Sequence, residues 1–410
     1  MVAPVVPGTR DIQAFHPFIK LNRLLADVPA GPSPVGDGAP VLLQVGEPQN
    51  APPALIGEAM AQAGGGWNRY PPPRGTESHR KVCHDWLKRR YGAGADMIDP
   101  DRHILPVPGT REGLFFAALA SVTAARDTIL LPNPFYHVYA GAAVAAGARP
   151  LFVPATAATG FQPAYDALDA ETLDRTALAF FNSPSNPQGS VADTETLTNA
   201  ITLARRHDFA IAMDECYAEI HDGTPPPGAL DAAARMDGGL DNVLIFHSLS
   251  KRSSAPGLRC GFVAGDPRWL DPLDAALRVG GAGVPLPVLA AGAALWQEET
   301  HVVANRARYE ANFAAARRAL GHLVRDVAPD AGFFLWLDVG NSEAAAVKLW
   351  REAGIRVLPG AYMSVADAEG NNPGARYIRV ALVHAPEVTK AALTRLAEVL
   401  APDLAAAAAQ

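Results

Sequence analysis

The sequence predicts an α/β fold, with a large domain built on a mostly parallel sheet and a smaller α+β domain at its C-terminal end. Three observations carry that expectation. Between Arg102 and about Gly265, short β-rich runs alternate with alanine-rich helical stretches, the rhythm of strand–helix–strand units. Beyond about Asp271 the pattern changes to long helical stretches with isolated strands. The 410 residues also exceed the roughly 100 to 200 typical of one domain.

Taken in order, residues 1–45 are rich in proline and glycine, as in Gly31-Pro32-Ser33-Pro34, with one helix-like stretch over 17–26. They read as an arm that packs with the smaller domain. Strands are expected at 104–107, 128–131, 150–153, 177–181, 209–213 and 243–246, all inside a large domain spanning 46–275. In the smaller domain, 276–410, a helix is expected over 298–324 and strands at 332–339 and 377–382. The most apolar window, 280–296, contains Pro285 and Pro287 and falls short of the roughly 20 residues a spanning helix needs, so it reads as a buried segment. The alanine run 405–409 reads as a frayed helix end.

Composition excludes several function classes. Hydrophobic residues make up 49% and charged residues 19%, which suits a packed interior rather than a disordered chain. The net charge is −7 and no run of five basic residues occurs, so no electrostatic footprint for nucleic acid is present. Cys83, Cys216 and Cys260 are odd in number and far apart, with neither a disulfide framework nor a zinc spacing. A cytoplasmic home is expected, since residues 1–10 lack the cationic start and apolar block of an export signal.

In open α/β sheets, ligands sit beyond the carboxyl ends of the strands. After the run ending at Phe246 come Ser248, Ser250 and Lys251, with Arg259 eight residues after the lysine. A lysine amine forms a Schiff base with an aldehyde, while hydroxyls and a guanidinium suit a phosphate dianion. Pyridoxal 5′-phosphate (PLP) has both groups. After the run ending at Met213, Asp214 and Tyr217 stand three residues apart. A carboxylate beside the pyridine nitrogen favours its protonated form and makes the ring an electron sink; Asp214 is the candidate. Tyr217 could donate to the ring's phenolic oxygen, as could Asn186 in the turn Asn182-Ser183-Pro184-Ser185-Asn186-Pro187. Gly109, Thr110 and Arg111 open a helical run where free N–H groups bind phosphate well. Phe135 and Tyr136 follow another strand, where one of the two aromatic rings could stack on the pyridine face. His137 and His247 lack metal-ligand spacing and read as wall residues, so no metal is expected.

Taken in this order, the motifs resemble those of the class I/II, fold-type I PLP-dependent aminotransferases over about Gln44 to Leu382. The resemblance implies a seven-stranded sheet and a phosphate held by Gly109, Thr110, Arg111, Ser248, Ser250 and Arg259. It also implies Tyr136 stacked on the ring, Asn186 and Tyr217 on the phenolic oxygen, Asp214 on the pyridinium, and Lys251 as imine former and acid–base. Gly46, Asn186 and Arg379 would bind substrate, Arg379 through its α-carboxylate. A homodimer with sites at its interface is implied, Tyr70 reaching the partner's phosphate. Gln188, where the family commonly has threonine, and Cys260, where serine is usual, depart from the pattern. Within the family, Ser248-Leu249-Ser250-Lys251-Arg252-Ser253, Asn133-Pro134-Phe135-Tyr136 and Gly109-Thr110-Arg111-Glu112 most resemble the N-succinyldiaminopimelate aminotransferases of bacterial lysine biosynthesis. That likeness implies ping-pong transfer between glutamate with 2-oxoglutarate and N-succinyl-LL-2,6-diaminopimelate with its keto acid. Arg74, Arg23, Lys20 and Arg252 are then candidates for distal carboxylates. Competing readings are another amino-acid specificity, a β-lyase, or a PLP-sensing regulator, the last disfavoured by an acidic chain with only about 45 residues before the domain.

Overall fold

The computed structural model describes residues 12–36, 38–281, 283–325 and 327–408. Its main sheet is made by β1 (Ile104–Val107), β2 (Thr128–Asn133), β3 (Arg149–Pro154), β4 (Thr176–Asn182), β5 (Ala210–Asp214), β6 (Val243–Ser248) and β7 (Gly261–Gly265). The spatial order is β1-β7-β6-β5-β4-β2-β3. All neighbours run parallel except β7, which is antiparallel to both β1 and β6. Every residue of β2, β4, β5 and β6 is buried, as strands covered by helices on both faces must be.

One face packs Leu114, Tyr139 and Leu270, from helices Thr110–Ser121, His137–Ala145 and Pro267–Gly280, onto Ile129, Leu131, Phe180 and Phe246 of the sheet. On the other face, Trp86, Ile201 and Trp296 come from helices Glu77–Tyr91, Thr194–His207 and Leu286–Gln297 and cover Leu130, Phe181, Ile211 and Ile245. Burying each such large apolar side chain stabilises the fold by roughly 1.5–3 kcal/mol.

A separate core surrounds a smaller antiparallel sheet of β8 (Phe334–Asp338), β9 (Leu358–Pro359) and β10 (Tyr377–Ala381), in the order β9-β10-β8. Helices Thr300–Leu320, Ser342–Ala353 and Pro386–Ala408 pack on it through Phe313, Leu349 and Leu396. The N-terminal helix Pro17–Leu24 sets Leu21 against Leu358 and Met363. Val41–Leu42 pairs in parallel with Ile355–Arg356. Both contacts tie the proline-rich start of the chain to its C-terminal third.

The structure differs from the sequence expectations in places. The sheet has the seven strands that the resemblance implied, but β7 was not among the runs picked out by pattern: its run Gly-Phe-Val-Ala-Gly is short and glycine-flanked, and glycine is a weak strand former. Those glycines are needed, because a Cβ at Gly265 would lie 2.0 Å from the Val243 carbonyl and one at Gly261 would lie 2.6 Å from that of His247. The helix expected over 298–324 is shorter, Thr300–Leu320, and the apolar window before it is a helix of its own, Leu286–Gln297, with Leu295 and Trp296 fully buried. The final alanines continue the last helix as far as Ala408. Readings made for residues 1–10 and for Ala409 fall outside the described residues. No described helix is long and apolar enough to cross a membrane, and all three cysteines are free.

Candidate active site

The carboxyl ends of β5 and β6, the start of the helix after β1 and the edge of the smaller sheet converge on one cavity of about 410 Å³. Of the residues expected at a site, Gly46, Thr110, Arg111, Tyr136, Asn186, Asp214, Tyr217, Ser250, Lys251, Arg259 and Arg379 line it.

Lys251 sits in the short helix Leu249–Arg252, whose N-cap is Ser248: the Ser248 hydroxyl accepts the Ser250 N–H at 3.1 Å. That cap turns the chain sharply after β6 and delivers the lysine to the cavity. The amine donates to the Gly46 carbonyl at 2.5 Å and lies 5.4 Å from the centre of the Phe333 ring. Burial lowers its pKa to about 8, so a sizeable neutral fraction exists near physiological pH.

Asp214 and Glu215 are neighbours at the end of β5 with opposite destinations. Asp214 enters the cavity at 3% exposure. Glu215 turns away, accepting the Tyr91 hydroxyl and the Ala229 N–H, each at 2.6 Å. Burial raises the Asp214 carboxyl pKa, opposed first by a hydrogen bond from the Tyr139 hydroxyl at 2.7 Å. Tyr139 is itself fully buried and stacked on Phe180 with ring centres 4.4 Å apart.

Arg379, on β10, is 4% exposed, and burial lowers its pKa only to about 10, so it stays charged at neutral pH. It donates to Asn186 Oδ1 at 2.7 Å and to the Gln44 carbonyl at 2.6 Å, while among the described residues its buried Nε has no partner. Asn186 is pinned in turn, its own N–H donating to Asn182 Oδ1 at 2.6 Å. Across the cavity, Arg259 holds a left-handed backbone, φ 55°, uncommon away from glycine. It pairs with Glu112 at 2.5 Å and donates to the Pro256 carbonyl at 3.0 Å.

Three expected residues stand back from the cavity. Ser248 caps the helix and donates to the Ser250 hydroxyl at 2.9 Å, supporting that residue from behind. Gly109 lies under the Arg259 guanidinium: a Cβ there would come within 2.6 Å of Arg259, and its φ of +93° also demands glycine. Tyr70 is 92% exposed and lies apart from the cavity of its own chain.

None of the four cations weighed for distal carboxylates lines the cavity. Arg252 is buried with Glu299 at 2.6 Å and the Leu295 carbonyl at 2.7 Å, and Arg74 is engaged by Asp271 at 3.1 Å and by the Arg102 carbonyl at 3.0 Å. Lys20 stands 6.0 Å from the centre of the Tyr362 ring. Of the two histidines, His137 lines the cavity, held neutral by burial with a pKa near 3, whereas His247 packs behind it against Trp86.

Sequence reasoning did not foresee Tyr139, Cys216, Glu47, Pro17, Phe18, Phe334, Leu358 or Met363. All but Tyr139 line the cavity, and Tyr139 backs Asp214. The spacing of Tyr136 and Tyr139, one helical turn apart at the start of a helix, was the available signal for Tyr139. Removing its hydroxyl leaves a buried carboxylate short of a donor. Tyr139→Phe is therefore expected to lower apoprotein stability at neutral pH by about 1–3 kcal/mol. Urea unfolding measures it, and an unchanged midpoint would show that the hydrogen bond contributes nothing net.

The donor set fits PLP on chemical grounds. A lysine amine of lowered pKa, the buried Asp214 carboxylate, the Asn186 amide and the Tyr217 phenol line the cavity. A helix start with Thr110, the Ser250 hydroxyl and the Arg259 guanidinium provides for a dianion.

A family model described as aminotransferase class I and II matches residues 39–400. The 4-dedimethylamino-4-oxo-anhydrotetracycline transaminase OxyQ of Streptomyces rimosus is 33% identical, over 87% of this chain and 92% of that protein. An LL-diaminopimelate aminotransferase of Dehalococcoides mccartyi is 28% identical, over 93% of this chain and 95% of its own. The crystal structure of an aminotransferase from Neisseria meningitidis Z2491 superposes with a TM-score of 0.87 at 36% identity, covering 94% of this chain and 97% of that one.

Proposed function

The chain belongs to the class I and II aminotransferase family, whose members use PLP, and from that premise we propose that it transfers the amino group between N-succinyl-LL-2,6-diaminopimelate and 2-oxoglutarate. The aminotransferase activity and the fold-type I architecture follow from the family and its structural neighbours. The substrate rests on the likeness of residues 109–112, 133–136 and 248–253 to the succinyldiaminopimelate enzymes. A relative named for diaminopimelate supports the same chemistry. The observation that carries the reading is Lys251, an amine of lowered pKa set in one cavity with Asp214 and Arg379.

When bound, PLP supplies a carbonyl that condenses with amines and an electron sink for negative charge at Cα. The chain's own residues do the rest. Arg379, still charged with a pKa near 10, would receive the α-carboxylate through the N–H groups of its fork that Asn186 and the Gln44 carbonyl leave over. Freed from its covalent role, the Lys251 amine takes the proton from Cα and returns it to the adjacent carbon, a transfer suited to a pKa near the working pH. With the cofactor in place, Asp214 would hold the pyridine nitrogen protonated, and Asn186 and Tyr217 would hold the phenolic oxygen. Thr110, Arg111, Ser250 and Arg259 would bind the phosphate, with Gly109 and Ser248 supporting them from behind, while Tyr136 would fix the ring plane.

We read the active species as a homodimer in the cytoplasm. Supporting the dimer are the large hydrophobic side chains left exposed in this chain, Tyr70 at 92%, Trp67 at 58% and Val279 at 92%. Tyr70 would then complete the partner's phosphate site. The arm is kept at 1–45 and the large domain begins at 46, but helices Pro267–Gly280 and Leu286–Gln297 pack on the main sheet, so the boundary expected between 275 and 276 is moved to after Gln297. The likeness to OxyQ favours a second reading, an aminotransferase of a different substrate.

The test is absorbance of the holoenzyme with each donor. Glutamate and N-succinyl-LL-2,6-diaminopimelate are both expected to convert the band near roughly 420 nm into one near roughly 330 nm. Conversion by glutamate alone keeps the transaminase and removes the succinyl substrate; conversion by no amino acid removes both.

A further inference from the structure

Lys251 is held at its backbone by a residue far along the chain. The helix Leu249–Arg252 is four residues long, so the carbonyls of Lys251 and Arg252 lie in its last turn and need partners outside it. Both find the same one. The Asn305 amide nitrogen donates to the Lys251 carbonyl and to the Arg252 carbonyl, each at 3.1 Å. Its oxygen accepts the Ser254 hydroxyl at 2.9 Å and the Asn50 amide at 3.0 Å. Every bonding position of this buried amide is used, and its orientation is fixed, because the two carbonyls can only accept.

Asn305 belongs to the helix Thr300–Leu320, which packs on the smaller sheet through Phe313. The start of that helix clamps the residues after Lys251 at two further points. His301 Nε2 meets the Ser253 hydroxyl at 2.8 Å, and Glu299, just before the helix, pairs with Arg252 at 2.6 Å. Ser254 takes a left-handed backbone, φ 47°, uncommon away from glycine, with its hydroxyl on Asn305. Asn50 lies four residues beyond Gly46, whose carbonyl accepts the Lys251 amine. One amide thus fixes the lysine at both ends: its main chain directly, and the segment that receives its amine through Asn50.

We propose that Asn305 is a positioning residue for the reaction, setting the reach of the Lys251 amine toward the cofactor's carbonyl carbon. This rests on the aminotransferase reading above, in which that amine is the reacting group. Asn305 does not line the cavity and acts through the lysine alone. The leverage is large, since a reacting group misplaced by about 1 Å loses on the order of 100-fold in rate.

The test mixes apoprotein rapidly with PLP and follows the band near roughly 420 nm, which appears as the amine adds to the aldehyde carbon and water leaves. Its dependence on PLP concentration separates the half-saturating concentration, set by noncovalent binding, from the limiting rate, set by the placement of the amine. Asn305→Leu is branched at the same carbon and has no hydrogen-bonding atoms. It is expected to lower the limiting rate by roughly 10- to 100-fold. The half-saturating concentration should stay within about threefold of wild type, because the phosphate-binding groups are untouched. Asn305→Asp still accepts from Ser254 and Asn50 but cannot donate to the two carbonyls. It is expected to lose about 10-fold or more, and decides the matter alone should Asn305→Leu fail to fold. Asn312→Leu is the structural control: Asn312, two turns further along the same helix, is also buried and donates to the Leu382 and His384 carbonyls, each at 3.0 Å. A limiting rate within about twofold of wild type in the Asn305 variants overturns the proposal, and so does an equal loss in Asn312→Leu. A wild type that forms no band removes the aminotransferase reading itself, an outcome distinct from both.

Discussion

Replacing Lys251 by alanine is expected to lower kcat by roughly 10⁴-fold or more, because in the proposed mechanism one amine both holds the cofactor and moves the proton. The phosphate-binding groups are untouched, so PLP still binds, without the 420 nm band of wild type. Single-turnover absorbance with glutamate measures the loss; a variant keeping more than about 1% of wild-type turnover would place the proton transfer on another group. The same substitution carries a pH signature in the apoprotein. Burial lowers the Lys251 pKa from 10.5 to about 8. Between those values the unfolded lysine binds a proton that the folded one has released, so stability rises with pH across that window. Lys251→Ala removes that rise, and urea midpoints at pH 8 and pH 10 compare the two proteins.

Asp214→Asn is expected to lower kcat by about 10²- to 10³-fold, the range seen when one preorganised electrostatic stabiliser is deleted. The amide oxygen can still accept the Tyr139 hydroxyl, so the geometry survives while the charge is lost. Stability should move the other way. Burial raises the carboxyl pKa above its usual 3.8. In the window between 3.8 and that raised value the folded state binds more protons than the unfolded one, so this group's contribution to stability falls as pH rises through it. Above it the apoprotein carries a buried anion, and Asp214→Asn should unfold at higher urea than wild type at pH 7. A variant that loses both activity and stability would indicate a disrupted strand end rather than a missing charge.

Much of this was legible in the sequence because the chemistry is local. Lys251 lies three residues after Ser248 and eight before Arg259, and Asp214 three before Tyr217; such spacings survive folding because each group sits at the end of one strand. The interior strands were legible for a related reason. A strand buried on both faces is a continuous apolar run, as in Thr176–Asn182. β7 was not, since a short glycine-flanked run acquires its identity only from the close backbone of β6 beside it.

The sequence by itself determined the fold class and the cofactor and named candidate residues for its chemistry, because side-chain type and strand-end position are one-dimensional properties. Only the tertiary structure decided which charges remain available. Arg252 stands next to the lysine in the chain yet is neutralised by Glu299, 47 residues away, and Arg74 is held by Asp271. Arg111, read from its helix start as a phosphate ligand, keeps two donors unmatched beside Tyr136. Glu215 adjoins Asp214 yet faces Tyr91. Whether a cation is engaged or open depends on partners that are distant along the chain, and packing alone brings them together.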